Sequence, residues 1–85
     1  VEIELFEDAI ADFEYWKKSG NLAVQKKINL LFSSMLETPF EGIGKPEALK
    51  HNLSGKWSRR INAEHRIVYE VEGELIKVYS LKNHY

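Results

Sequence analysis

The stretch TPFEGIGKPEALKHNLSG, residues 38–55, divides this chain into two halves that must fold by different rules. It holds both prolines and three of the five glycines in 18 residues, with no sustained apolar period. Proline lacks a backbone donor and pushes the residue before it away from helix, so no long helix or central strand crosses such a stretch. A loop this long inside a small domain is usually functional. Within it, a short helical turn is expected over 46–50, with Pro46 in the first position.

Ahead of the loop the apolar period changes once. VEIELF alternates, with Val1, Ile3 and Leu5 opposite Glu2 and Glu4, and predicts a half-buried strand. From residue 7 the period becomes helical. Ile10, Phe13 and Trp16 fall three apart, Phe6 and Ala9 share their stripe, and acids early with lysines late suit the helix dipole. Ser19-Gly20 reads as a stop and Asn21 as the next N-cap. A second helix carries Val24, Ile28, Leu31, Phe32 and Met35 on one face and ends near Glu37, two residues before Pro39. The short connection predicts an antiparallel helical hairpin.

After the loop come strands. KWSRRI and HRIVYEV are joined by a polar turn at Asn62-Ala63-Glu64, and ELIKVYSL follows Glu72-Gly73. Taking Glu72-Gly73 as a two-residue hairpin loop pairs Tyr69 with Ile76 and Ile67 with Val78 on one face. Arg66 then faces Tyr79 and Val68 faces Lys77 on the other. The first face is apolar and should carry the helices; the second is cationic and open, and Arg60 should share it with Arg66. The expected fold is α+β: one domain over residues 1–85, in the order β-α-α-β-β-β, with a small, mostly antiparallel sheet packed against a two-helix hairpin.

Composition narrows the chemistry. With no cysteine among 85 residues, disulfides and thiolates drop out, which fits a reducing cytoplasm. No apolar run reaches a membrane span and no leader pattern opens the chain, so neither is expected. The net charge of −1 hides an asymmetry: four lysines and eight acids in residues 1–44, eight Lys or Arg and five acids in residues 45–85. The window 45–66 sets six cations against Glu47 and Glu64, a plausible footprint for a polyanion. His51, His65 and His84 lack metal-ligand spacing, no phosphate-binding glycine loop or nucleophile elbow is present, and no cofactor is expected.

Glu47, Lys50, Arg60, Arg66, His84 and Tyr85 suit acid-base work on a phosphodiester. RNA strand cleavage without metal needs a base for the 2′-hydroxyl, cations for the charge that builds on phosphorus, and an acid for the departing 5′-oxygen. Histidine suits the acid's role. Each residue also has a structural reading. Glu47 could accept helix amides after Pro46, Arg60 and Arg66 could be solvated strand residues, and His84-Tyr85 could be a loose tail. Trp57 reads as core, Tyr79 and Tyr85 as stacking or edge-covering rings, and His51 and His65 as structural or exposed. Strict alternation from Ile76 puts His84 on the helix-covered face, so a bulge near Lys82-Asn83 would be needed to bring it beside Arg66.

Residues 38–71, TPFEGIGKPEALKHNLSGKWSRRINAEHRIVYEV, resemble the signature of the Txe/YoeB family of RelE-like toxins. YWKKSG, KKIN and the terminal HY are similar to that family as well. The resemblance implies a bacterial type II toxin: a metal-independent endoribonuclease that cuts messenger RNA in the ribosomal A site and stops translation. It implies a general base at Glu47, a transition-state cation at Arg66, a general acid at His84, a substrate-holding ring at Tyr85, and phosphate contacts at Lys50 and Arg60. Ala48 and Lys56 depart from the family pattern beside these positions. A YefM-type antitoxin, operator DNA reached through it, and a second copy of the toxin are the further partners implied. A translation inhibitor that binds RNA without cutting, and a corepressor acting only with its antitoxin, stay open as alternatives.

Overall fold

The computed structural model of the chain describes residues 2–82. Strand β1 (Glu2–Leu5) leads into helix α1 (Glu7–Ser19) and helix α2 (Leu22–Glu37). The loop segment follows, and then β2 (Glu47–Ala48), a 3-10 turn (His51–Leu53), β3 (Trp57–Arg60), β4 (Arg66–Glu72) and β5 (Leu75–Ser80). The strands form one sheet in the order β1-β5-β4-β3-β2. Every pairing is antiparallel except that of β1 with β5, which are parallel neighbours separated in the chain by both helices and the three other strands.

The helix boundaries follow local chemistry. Gly20 ends α1 in the left-handed region at φ 74°, and the Asn21 side chain accepts the Val24 amide at 3.1 Å to start α2. Val24, Ile28, Leu31 and Met35 bury one stripe of α2, with Phe32 partly covered. They meet Ile67, Tyr69, Ile76 and Val78 from the sheet in a single core. On α1 Ala9 and Trp16 are buried and Phe13 is half-buried against them, whereas Ile10 is 54% exposed. The polar Asp12 turns inward in its place, because its carboxylate accepts the Leu81 amide at 2.9 Å.

Two further expectations are corrected, and one irregularity of the sheet is new. Residues 46–50 form no helical turn: Glu47–Ala48 pair with Ser58 and Trp57 as an edge strand, and the helical turn starts at His51 instead. An extended segment that can hydrogen-bond to a sheet edge satisfies its backbone better than an isolated turn does. The β4–β5 turn is Gly73-Glu74 rather than Glu72-Gly73, so Tyr69 pairs with Val78 and Val71 with Ile76. Gly73 takes φ 61° at the first turn position, which a type II′ turn reserves for glycine, and Glu74 is spared a positive φ. The slip is by two residues, so every side chain keeps its face. Lastly, a bulge lies between Val68 and Tyr69, opposite Tyr79: Tyr69 pairs with Val78, but Val68 pairs with Ser80. The alternation is thereby broken at residues 79–80, and Leu81 returns to the core; the Lys82-Asn83 position that the sequence suggested reaches beyond the described residues.

Candidate active site on the open face of the sheet

The face away from the helices carries Glu47, Arg60 and Arg66 around a buried centre of Ser58, Val68 and Ser80. Glu47, Ser58, Val68 and Ser80 stand directly opposite one another across β2, β3, β4 and β5. One step along, Arg60 stands opposite Arg66. The Arg66 guanidinium donates to the Glu47 carboxylate at 3.3 Å, with Glu47 63% and Arg66 25% exposed. Edge strand β2 thus brings a loop carboxylate to a cation in the middle of the sheet. Ser80 is buried in the same row, and its hydroxyl has no hydrogen-bond partner among the described residues.

Other predicted residues fall at different distances from this pair. Arg60 is exposed and joins it. Lys50 is exposed and lies three residues beyond Glu47, toward the end where the Leu49 amide bonds to Lys56. At about 3.3 Å per residue that is roughly 10 Å along the strand, at the opposite end of β2 from Arg60. His84 and Tyr85 lie outside the described residues. Trp57 packs on the core and against Phe40, as a core residue should. Tyr79 is occupied at the neighbouring edge. Its hydroxyl donates to Glu70 at 2.8 Å, Phe6 meets its ring in a T-shaped contact, and the Lys56 ammonium sits 4.9 Å from the ring centre. The bond to Glu70 pushes the Tyr79 phenol up from its ordinary value. His65 is largely covered, with its ring against Trp16.

The loop that delivers Glu47 is held by Arg59, a residue the sequence reading passed over. Arg59 is fully buried. Its Nε donates to the Tyr69 hydroxyl at 3.1 Å, Nη1 to Ser34 Oγ and the Ile43 carbonyl, and Nη2 to the carbonyls of Thr38 and Glu41 at 2.6 and 2.8 Å. All five guanidinium donors are used, which is what lets a buried charge stand among neutral groups. Tyr69 passes the link on by donating to the Pro39 carbonyl at 2.7 Å. The signal was present in the alternation: Arg59 has the parity of Trp57 and Ile61, which marks it for the helix-covered face. At the far end of β5 a second clip forms. Trp16 Nε1 donates to the Leu81 carbonyl at 2.9 Å while Asp12 accepts the Leu81 amide, fixing the chain as it leaves the sheet.

The arrangement offers a carboxylate touching a guanidinium on an accessible surface, with a second guanidinium beside it. It sets a proton acceptor beside two cations that can hold a phosphate group. Among the described residues no cluster of three or more His, Asp or Glu side chains is placed to hold a metal ion, and no helix is long and apolar enough to cross a membrane.

Comparison with known proteins gives a consistent picture. A family model described as YoeB-like toxin of bacterial type II toxin-antitoxin system matches residues 5–85. Toxin YoeB of Escherichia coli K12 is 49% identical over 79 residues, covering 93% of both chains. Among solved structures, the YoeB-YefM complex from Staphylococcus aureus superposes with a TM-score of 0.90 at 46% identity, covering 100% of this chain and 98% of that one. The YoeB dimer from the same organism gives 0.91 at 45% identity, with the same coverage.

Proposed function

This chain belongs to the YoeB-like toxins of bacterial type II toxin-antitoxin systems, and from that premise we propose that it is a ribosome-dependent endoribonuclease that cuts messenger RNA in the A site. The observation that carries the reading is the contact between Glu47 and Arg66 on the open sheet face, with Arg60 beside it. Glu47 takes the proton from the ribose 2′-hydroxyl. The freed oxygen attacks the adjacent phosphorus, and an oxygen–phosphorus bond forms as the bond to the 5′-oxygen breaks. Arg66 holds the non-bridging oxygens as their charge grows, where a fixed guanidinium is strongest. Arg60 and Lys50 grip the phosphate backbone on either side. His84 protonates the leaving 5′-oxygen and Tyr85 steadies the substrate, the roles that the family resemblance assigns to them.

The products are a 2′,3′-cyclic phosphate, or the 3′-phosphate to which it opens, and a 5′-hydroxyl. The toxin works in the cytoplasm, where ribosomes are. A YefM-type antitoxin is its neutralising partner, as a YefM accompanies the Staphylococcus aureus relative. Through that antitoxin it reaches operator DNA, and a second copy is a further partner, as in the dimeric relative. Replacing the ribose at the cut site by 2′-deoxyribose in ribosome-bound messenger tests the mechanism. The modified message should survive intact, and scission of it would contradict attack by the 2′-oxygen.

A further inference from the structure

Beside the Glu47–Arg66 pair, a groove of about 310 Å³ runs between α2, the end of the long loop and the end of β3. Its walls include Lys27, Lys45 and Arg60, with Gly44 and Ile61 between them. We infer that this groove is a second phosphate site, in which Lys27 and Lys45 join Arg60 to hold the RNA backbone on one side of the phosphate being cut.

Four observations support it. The three cations come from three separate elements, so their meeting is a product of the fold rather than of one charge run. Among the described residues none of them has a carboxylate within 4.0 Å, whereas Lys17, Arg66 and Lys77 do. Converging cations without a counter-ion repel one another until an anion enters. Lys45 adopts φ 51°, a left-handed conformation uncommon for a lysine and typical of residues aimed for a task. Its neighbour Gly44 is pinned. The Gly44 carbonyl accepts the Arg60 amide at 2.6 Å, and a Cβ at this position would lie 2.6 Å from Leu31 Cδ2.

Continuity decides the class of ligand. Arg60 stands directly opposite Arg66 on the adjoining strand, and neighbouring strands lie about 4.8 Å apart. Arg60 therefore links Arg66 on the sheet to the two lysines of the groove. A polyanion with regularly spaced charges matches that line. The choice of RNA over an acidic peptide rests on the cleavage reading above.

The test is fluorescence anisotropy of a short single-stranded RNA carrying 2′-O-methyl on every ribose, titrated with protein across a range of salt concentrations. K27A/K45A should weaken binding about tenfold and lower the slope of log affinity against log salt by about 1.4, since each phosphate contact on a single strand contributes about 0.7. K27R/K45R should keep both. Unchanged affinity and slope in K27A/K45A would overturn the inference. So would an equal loss in K26A, whose side chain does not line the groove, because the effect would then be one of general charge. Retained RNA binding together with lost binding of a polyglutamate peptide would also overturn it, by assigning the groove to an acidic partner. A protein that binds RNA with the expected slope yet leaves ribosome-bound messenger uncut would keep the groove and defeat the cleavage reading.

Discussion

Arg59 and Tyr69 show how single residues prepare a surface they never reach. The Arg59 fork ties β3 to α2 and to three loop carbonyls, and Tyr69 extends the tie to Pro39. Replacing Arg59 with Met would leave those acceptors buried without donors, at about 1–3 kcal/mol for each group that stays dry. We expect R59M to lose at least about 3 kcal/mol in urea unfolding, a large part of the roughly 5–15 kcal/mol typical of a small domain. R59K should recover little, because an ammonium has three donors and no planar fork. Burial pushes the Tyr69 phenol above its ordinary value of 10.0, against the opposing pull of the Arg59 hydrogen bond and charge. The folded state therefore keeps a proton at a pH where the unfolded chain has lost it, and stability falls as pH rises past about 10. Tyr79, raised by its bond to Glu70, and Lys77, raised by its bond to Glu72, act in the same direction. Urea midpoints measured from about pH 8 to about pH 11 should decline, and Y69F should decline less steeply over that interval while starting lower. A flat profile would show that these groups titrate alike in both states.

At the level of elements, the loop between α2 and β2 behaves as a rigid arm. Gly44 takes φ 84°, and a Cβ there would meet Leu31, Arg59 and the Arg60 carbonyl, so G44A must open the contact between the arm and the sheet. It should cost about 1–3 kcal/mol and shift the Arg60 amide resonance. The clip on Leu81 leads to a different expectation. D12A removes the carboxylate that holds the chain after β5, and should cost only about 1 kcal/mol in stability. If the last residues supply the acid, D12A should lower the single-turnover rate of messenger cutting far more than it lowers affinity for the ribosome. Both helices, the stop at Gly20, the cap at Asn21 and the buried face of α2 were legible in the sequence, because helical period and capping act within a few residues, whereas the stripe of α1 failed at Ile10, where a distant amide draws Asp12 inward instead. The edge strand β2 was not: two residues carry no period, and their conformation is decided by partners nine and eleven positions away. The turn at Gly73-Glu74 and the bulge opposite Tyr79 escaped for a related reason, since register depends on which residue accepts a positive φ and on packing across the sheet.

Across the whole molecule, function depends on bringing residue 47 to residue 66 and then holding that pair open to a large anion. Alternation alone put Arg60 and Arg66 on one face, and the register bears this out. It could not bring Glu47 there, because that step runs through Arg59, the glycines of the arm and a two-residue strand. Lys27 and Lys45 stayed hidden as well, since a groove between a helix and a loop has no signature in either one alone. The most direct measurement is primer extension on ribosome-bound messenger, comparing the wild type with E47Q, a substitution that keeps shape and removes the base. The wild type should give a discrete stop in the A-site codon. E47Q should bind ribosomes equally well and cut about 10²–10⁴-fold more slowly. Cutting by E47Q at the wild-type rate would contradict the assignment of the base, and with it the mechanism built on the Glu47–Arg66 pair.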